Sequence, residues 1–163
     1  MEVMIFLGSE SDFDVIKDAL DILKEFRVPF ELEVTSAHRS PARTVRLVEE
    51  AEKQGAEVFI AVAGKAAHLA GVVAAHTIRP VIGVPVESGG LGGLDALLST
   101  VQMPKGIPVA AMGTGKHGGS NAALLAVQIL SLKRPELENK LRMDRQKMAE
   151  QVEAASRKLN QKA

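Results

Sequence analysis

A chain of 163 residues has room for one domain with a single core, and its 20 basic and 20 acidic side chains leave no net charge with which to attract nucleic acid. The absence of cysteine excludes disulfides and thiolate metal sites. No apolar run is long enough to cross a bilayer and no secretory leader pattern follows Met1, so a soluble, cytoplasmic protein without membrane or nucleic-acid partners is expected.

Hydrophobic residues make up 46% of the chain but aromatic ones only 3%. A core of Val, Ile, Leu and Ala suits parallel strands covered by helices on both faces. Val3 to Leu7 is an apolar run of strand length. Gly8-Ser9-Glu10-Ser11-Asp12 follows, and Phe13, Ile16, Leu20 and Leu23 then recur at helical spacing. A Gly/Ser/Asp loop between a strand and a helix favours a phosphate or carboxylate, which marks Ser9, Ser11 and Asp12 as candidate binding groups. Ser11 with Asp14 also fits a capping box.

A second strand is expected over Phe30 to Thr35, running into Ser36-Ala37-His38-Arg39-Ser40-Pro41. That loop concentrates an imidazole, a guanidinium and two hydroxyls at a strand end, the place where open α/β sheets bind ligands. Ser40 and Pro41 also read as the cap and first turn of a helix ending near Gln54, with Gly55 just past it. Glu57 to Val62 is the third expected strand. After it, Gly64-Lys65-Ala66-Ala67-His68 combines small residues, which admit a close ligand, with one isolated cation and one imidazole. Lys65 serves either as an anion partner or as a solvated surface group. His76 is placed further along the same helix, without a role.

Pro80 to Val84 and Val109 to Met112 are the fourth and fifth expected strands, with a helix from about Gly92 to Val101 between them. Gly113-Thr114-Gly115-Lys116-His117-Gly118 matches G-x-G-x-x-G in form only. No strand follows to complete a dinucleotide-binding unit, so it reads as a flexible loop before a helix over Asn121 to Leu130. Pro135 to about Leu159 is a charged helix whose apolar line, Leu137, Leu141, Met148 and Val152, is too narrow to be buried on its own subunit. The regular alternation of strand and helix predicts a doubly wound parallel sheet.

Three segments, Gly8 to Asp12, Ser36 to Pro41 and Gly64 to Gly71, together resemble the PurE family of purine-synthesis enzymes. Val84-Pro85-Val86, Gly93 to Leu97, Val101 to Val109 and Asn121 to Ala126 extend the resemblance in order and spacing from Val3 to about Leu132. The resemblance implies a three-layer α/β/α subunit of the flavodoxin or Rossmann kind with a long C-terminal helix. Residues 1–132 would be the nucleotide-binding catalytic part and 133–163 an arm packing on a neighbouring subunit of a homo-octamer. It implies no metal and no organic cofactor. It implies conversion of N5-carboxyaminoimidazole ribonucleotide to 4-carboxy-5-aminoimidazole ribonucleotide, the carboxyl group passing from nitrogen to carbon through CO2. By that pattern His38 is the acid/base, Ser9 and Asp12 (with Ser11) hold the ribose and phosphate side, and Arg39 holds the phosphate. Ser36, Gly64, Lys65, Ala66 and His68 close over the base and the moving carboxyl group.

Two positions depart from the mutase branch of that family, Lys65 where Gly is usual and Ala70 where Pro is usual. Arg is usual at the Lys65 position in the branch that carboxylates aminoimidazole ribonucleotide directly with CO2. Direct carboxylation is therefore the first alternative, and a related carboxylase acting on another ribonucleotide, such as a nicotinic acid nucleotide, the second. A response-regulator-like sensor is a third, opposed by Ala63-Gly64-Lys65 where an acceptor Asp would follow the third strand.

Overall fold

Parallel strands β1 (Val3–Leu7), β2 (Phe30–Val34), β3 (Val58–Gly64), β4 (Val81–Val86) and β5 (Ala110–Ala111) form one sheet in the order β2-β1-β3-β4-β5 in the computed structural model, which describes residues 1–161. Helices α1 (Phe13–Glu25), α2 (Pro41–Lys53), α3 (Leu69–Ala75), α4 (Leu94–Val101) and α5 (Gly115–Ser131) connect or follow them, and α6 (Pro135–Asn160) comes last. The described residues form two compact units, 1–127 and 128–161. The last two residues of the expected arm lie outside the described part. No helix among the described residues is long and apolar enough to cross a membrane.

Every residue of β1 is buried, as a strand covered on both faces requires. Met4, Phe6, Phe59, Ala61 and Ala63 share one face with Leu47 and Val48 of α2, Val73 of α3 and Ala96 of α4. Phe6 and Phe59 stack there with ring centroids 6.0 Å apart. The alternate residues Val3, Ile5, Leu7, Ile60 and Val62 are equally buried and point to the other face, where α1 and α5 meet. That meeting is close: a Cβ on Gly119 would collide with the Val15 carbonyl oxygen.

Register positions the functional loops. Leu7 pairs with Val34 on one side and Val62 on the other, and Gly64 pairs with Val86. Four strands thus release their chains at nearly the same level of the sheet. From β1 the chain moves outward to β2 and then back across to β3, so the order reverses at β1 and β3. The crevice at that reversal is the usual ligand site of such sheets.

Several sequence-based boundaries move. The third and fourth strands run on to Gly64 and Val86 rather than Val62 and Val84, so Pro85 lies inside β4. β5 pairs only with Ile82 and Gly83, which leaves the outer edge of β4 open at Pro85, where a missing N–H is tolerated. The fifth strand shrinks to two residues. The expected loop at Gly115 to Gly118, with His117, is instead the first turn of α5. Glycine permits this because a Cβ on Gly118 would overlap the Gly113 carbonyl. His76 caps the end of α3 instead of lying within it.

Candidate functional site

The first loop turns at once after β1. Gly8 N–H extends the ladder to the Val62 carbonyl at 2.9 Å. Ser9 then caps a 3-10 turn, Glu10–Asp12, accepting from Ser11 N–H at 3.4 Å and from Ser11 Oγ at 3.0 Å. The expected capping box of Ser11 and Asp14 does not form, because the extra turn makes Asp12 the residue preceding α1. Asp12 is 6% exposed. Burial raises the pKa of its carboxyl from the ordinary value, against the opposing pull of hydrogen bonds from the Ser9 backbone and the Ser11 side chain.

The second loop is braced from below. Thr35 N–H reaches the Leu7 carbonyl at 2.9 Å, and its buried hydroxyl meets Thr44 Oγ1 at 2.8 Å. Ser40 stands at the start of α2 with Pro41 in the first turn, as expected, but its hydroxyl does not cap the helix. It turns back into the loop, accepting from Ser36 N–H at 3.1 Å and donating to Ser36 O at 3.2 Å. Arg39 is tied across two loops: its guanidinium donates to Gly8 O at 3.2 Å and to Ser36 Oγ at 3.5 Å.

In the third loop Lys65 has a φ of 56°, the left-handed region that L side chains rarely occupy. Two tight bonds follow, Ala67 N–H to Lys65 O and His68 N–H to Ala66 O, both 2.8 Å. The coil brings His68 to the start of α3, facing the second loop. His38 Nε2 and His68 Nδ1 are 2.9 Å apart, with the rings edge to face. A hydrogen bond across that contact requires one of the facing nitrogens to donate and the other to accept, according to the tautomers.

A cleft of about 530 Å³ opens between the loops. Ser9, Ser11, Asp12, Ser36, His38, Arg39, Gly64, Lys65 and Ala66 all line it, and His68 joins them through His38. Ser88, just past β4, also lines it and was missed in the sequence, although it occupies the same strand-end position as the residues that were found. No cluster of three or more metal-ligating side chains occurs among the described residues. A larger hollow at the opposite strand ends, near His76, Ile78 and Arg79, brings together none of these groups.

A doubly wound α/β subunit with a polar cleft at its switch point belongs to the class of open-sheet proteins that bind small ligands in that crevice. The chain belongs to the AIR carboxylase family, whose model matches residues 2–151. It is 50% identical over 159 residues to the N5-carboxyaminoimidazole ribonucleotide mutase of Pyrococcus horikoshii, covering 98% of this chain and 89% of that protein. The protein of the same name in Escherichia coli is 47% identical over 150 residues, covering 92% of this chain and 89% of the relative. Among solved structures, Treponema denticola PurE superimposes with a TM-score of 0.84 at 28% identity, covering 92% of both chains. A substituted form of Treponema denticola PurE2 does so with a TM-score of 0.88 at 28% identity, covering 98% of this chain and 99% of that one.

Proposed function

We propose that this chain acts in purine biosynthesis as an isomerase, converting N5-carboxyaminoimidazole ribonucleotide to 4-carboxy-5-aminoimidazole ribonucleotide. The observation that carries the reading is the hydrogen-bonded His38–His68 pair at the cleft, whose lining also includes Arg39, Ser9 and Ser11, groups able to hold an anion. The carbamate C–N bond breaks, its electron pair stays on nitrogen, and that nitrogen takes a proton while CO2 is released into the cleft. The ring carbon then attacks CO2, and its own proton leaves to restore aromaticity. One proton is given and one returned, which suits an imidazole held in place by a hydrogen bond with its neighbour ring.

In this reading Ser9, Ser11 and Arg39 hold the nucleotide phosphate, and Asp12 the ribose hydroxyls. Ser36, Gly64, Ala66 and His68 enclose the base and the carboxyl group. Lys65 lies at the rim of that enclosure, where an ammonium stabilises carboxylate charge. The working form is a homo-octamer, supported by apolar side chains left exposed on α4 and α6, Leu94, Leu98, Met148 and Val152 among them. The test is purified protein incubated separately with N5-carboxyaminoimidazole ribonucleotide and with aminoimidazole ribonucleotide plus bicarbonate. Faster product formation from the N-carboxy substrate is expected. Product from the second mixture alone would make the protein a direct carboxylase.

A further inference from the structure

We infer that Ser88 is a further substrate-contacting residue of this reaction, its hydroxyl hydrogen-bonding an oxygen of the carboxyl group as it passes from nitrogen to carbon. The inference rests on the function proposed above. Ser88 leaves β4 at the level where Gly64 leaves β3, because Gly64 pairs with Val86. A Cβ on Gly64 would overlap Ser88 Oγ, so the hydroxyl stands directly over the Gly64 backbone. Glycine at 64 is what leaves room for that hydroxyl. Ser88 is half-buried and lines the cleft. Its hydroxyl has no hydrogen-bond partner among the described residues.

The surroundings say what such a donor meets. The wall formed by Ser9, Ser11, Asp12 and Arg39 is polar enough for phosphate and ribose. The wall formed by Ala63, Gly64, Ala66 and Leu69 offers no polar side-chain atom of its own; Lys65, between Gly64 and Ala66, adds an ammonium and Ser88 a hydroxyl. Small, mostly apolar walls with few donors suit CO2, which needs little room and accepts weakly. When the ring carbon attacks CO2, negative charge returns to the CO2 oxygens, and a donor already in place there lowers the barrier. The same bond holds CO2 against escape in the interval when it is attached to neither atom.

Ser88→Ala removes the donor while keeping the seat over Gly64. Nucleotide KM should stay within about twofold and kcat should fall about 10²–10³-fold, the usual effect of losing one transition-state donor. The fraction of substrate leaving as aminoimidazole ribonucleotide, rather than as the 4-carboxy product, should rise over the uncatalysed background. Ser88→Cys, nearly isosteric but a poor donor, should behave like the alanine variant. Wild-type kcat and product partition in Ser88→Ala, or their restoration by Cys, would overturn the role. A wild-type protein that forms no 4-carboxy product from the N-carboxy substrate would overturn the underlying function as well, which separates the two failures.

Discussion

At the scale of single residues, three side chains are placed where their chemistry conflicts with the stability of the fold or the freedom of the backbone. His38 lies on the cleft wall with its Nε2 committed to His68. His38→Asn is expected to fold and to bind nucleotide but to lose about 10²–10⁴-fold in turnover, the usual effect of removing a general acid/base. Near-wild-type turnover would remove His38 from the chemistry. Asp12 is buried with its pKa raised. In the folded state it therefore holds a proton more tightly than in the unfolded chain. Stability falls as pH rises from the unfolded carboxylate range through the raised folded value, and above that value the penalty is complete. Asp12→Asn should accordingly raise the neutral-pH melting temperature, flatten the acid limb of the stability profile and weaken nucleotide binding. A lowered melting temperature at pH 7 would show that its hydrogen bonds outweigh its burial. Lys65, at φ 56°, occupies a position that favours glycine. Lys65→Gly should stabilise the protein by up to about 1 kcal/mol, because the left-handed region costs a side-chain-bearing residue roughly that much. If the ammonium also selects the carboxyl donor, the ratio of activities on the two substrates will shift by about tenfold, or about 1.4 kcal/mol. An unchanged ratio would leave Lys65 a strained surface residue.

At the scale of elements, α1 and α2 end by the same device with different residues. Past α2, Gly55 has a φ of 96°, Gly55 N–H bonds Glu52 O and Ala56 N–H bonds Ala51 O. Past α1, Arg27 has a φ of 57°, Arg27 N–H bonds Lys24 O and Val28 N–H bonds Leu23 O. Both are Schellman endings, and only one uses the residue that fits without strain. Arg27→Gly is expected to raise the melting temperature by about 2–4 °C, the shift that about 1 kcal/mol produces at this chain length. Arg27→Ala keeps the strain and should give no such rise. Gly55 was legible from its place after a periodic apolar face. Arg27 was not, because nothing local distinguishes a left-handed arginine from an ordinary one. Ser40 teaches the same lesson, since its position at the start of α2 was evident but its hydroxyl was claimed by Ser36, four residues earlier.

At the scale of the whole molecule, the exposed apolar side chains stand out against a chain of balanced charge. Leu94, Leu98 and Val101 repeat along α4, and Met148, Val152 and Leu159 along α6, all about half or more exposed. Such stripes are covered in solution by other copies if the proposed octamer forms. Removal of residues 135–163, or the paired change Met148→Glu with Val152→Glu, should give smaller or insoluble particles by light scattering. An unchanged particle size in the paired variant would exclude α6 from the assembly.

The sequence by itself determined the alternation of strand and helix, the parallel sheet, and the three loops that carry Ser9, His38 and Lys65. Each of these follows from periodicity and turn chemistry within a few residues, which do not depend on distant partners. Tertiary structure alone decided the rest. The level at which four strands end brings Ser88 over Gly64, and the coil after β3 aims His68 at His38, thirty positions away in sequence. It also decided that Gly115 to Gly118 form a helical turn instead of a loop, because the close approach of α5 to α1 and to its own entry leaves no room for side chains at Gly118 and Gly119. Strand register and close backbone approach are set by contacts between segments far apart in the chain, so no local pattern records them.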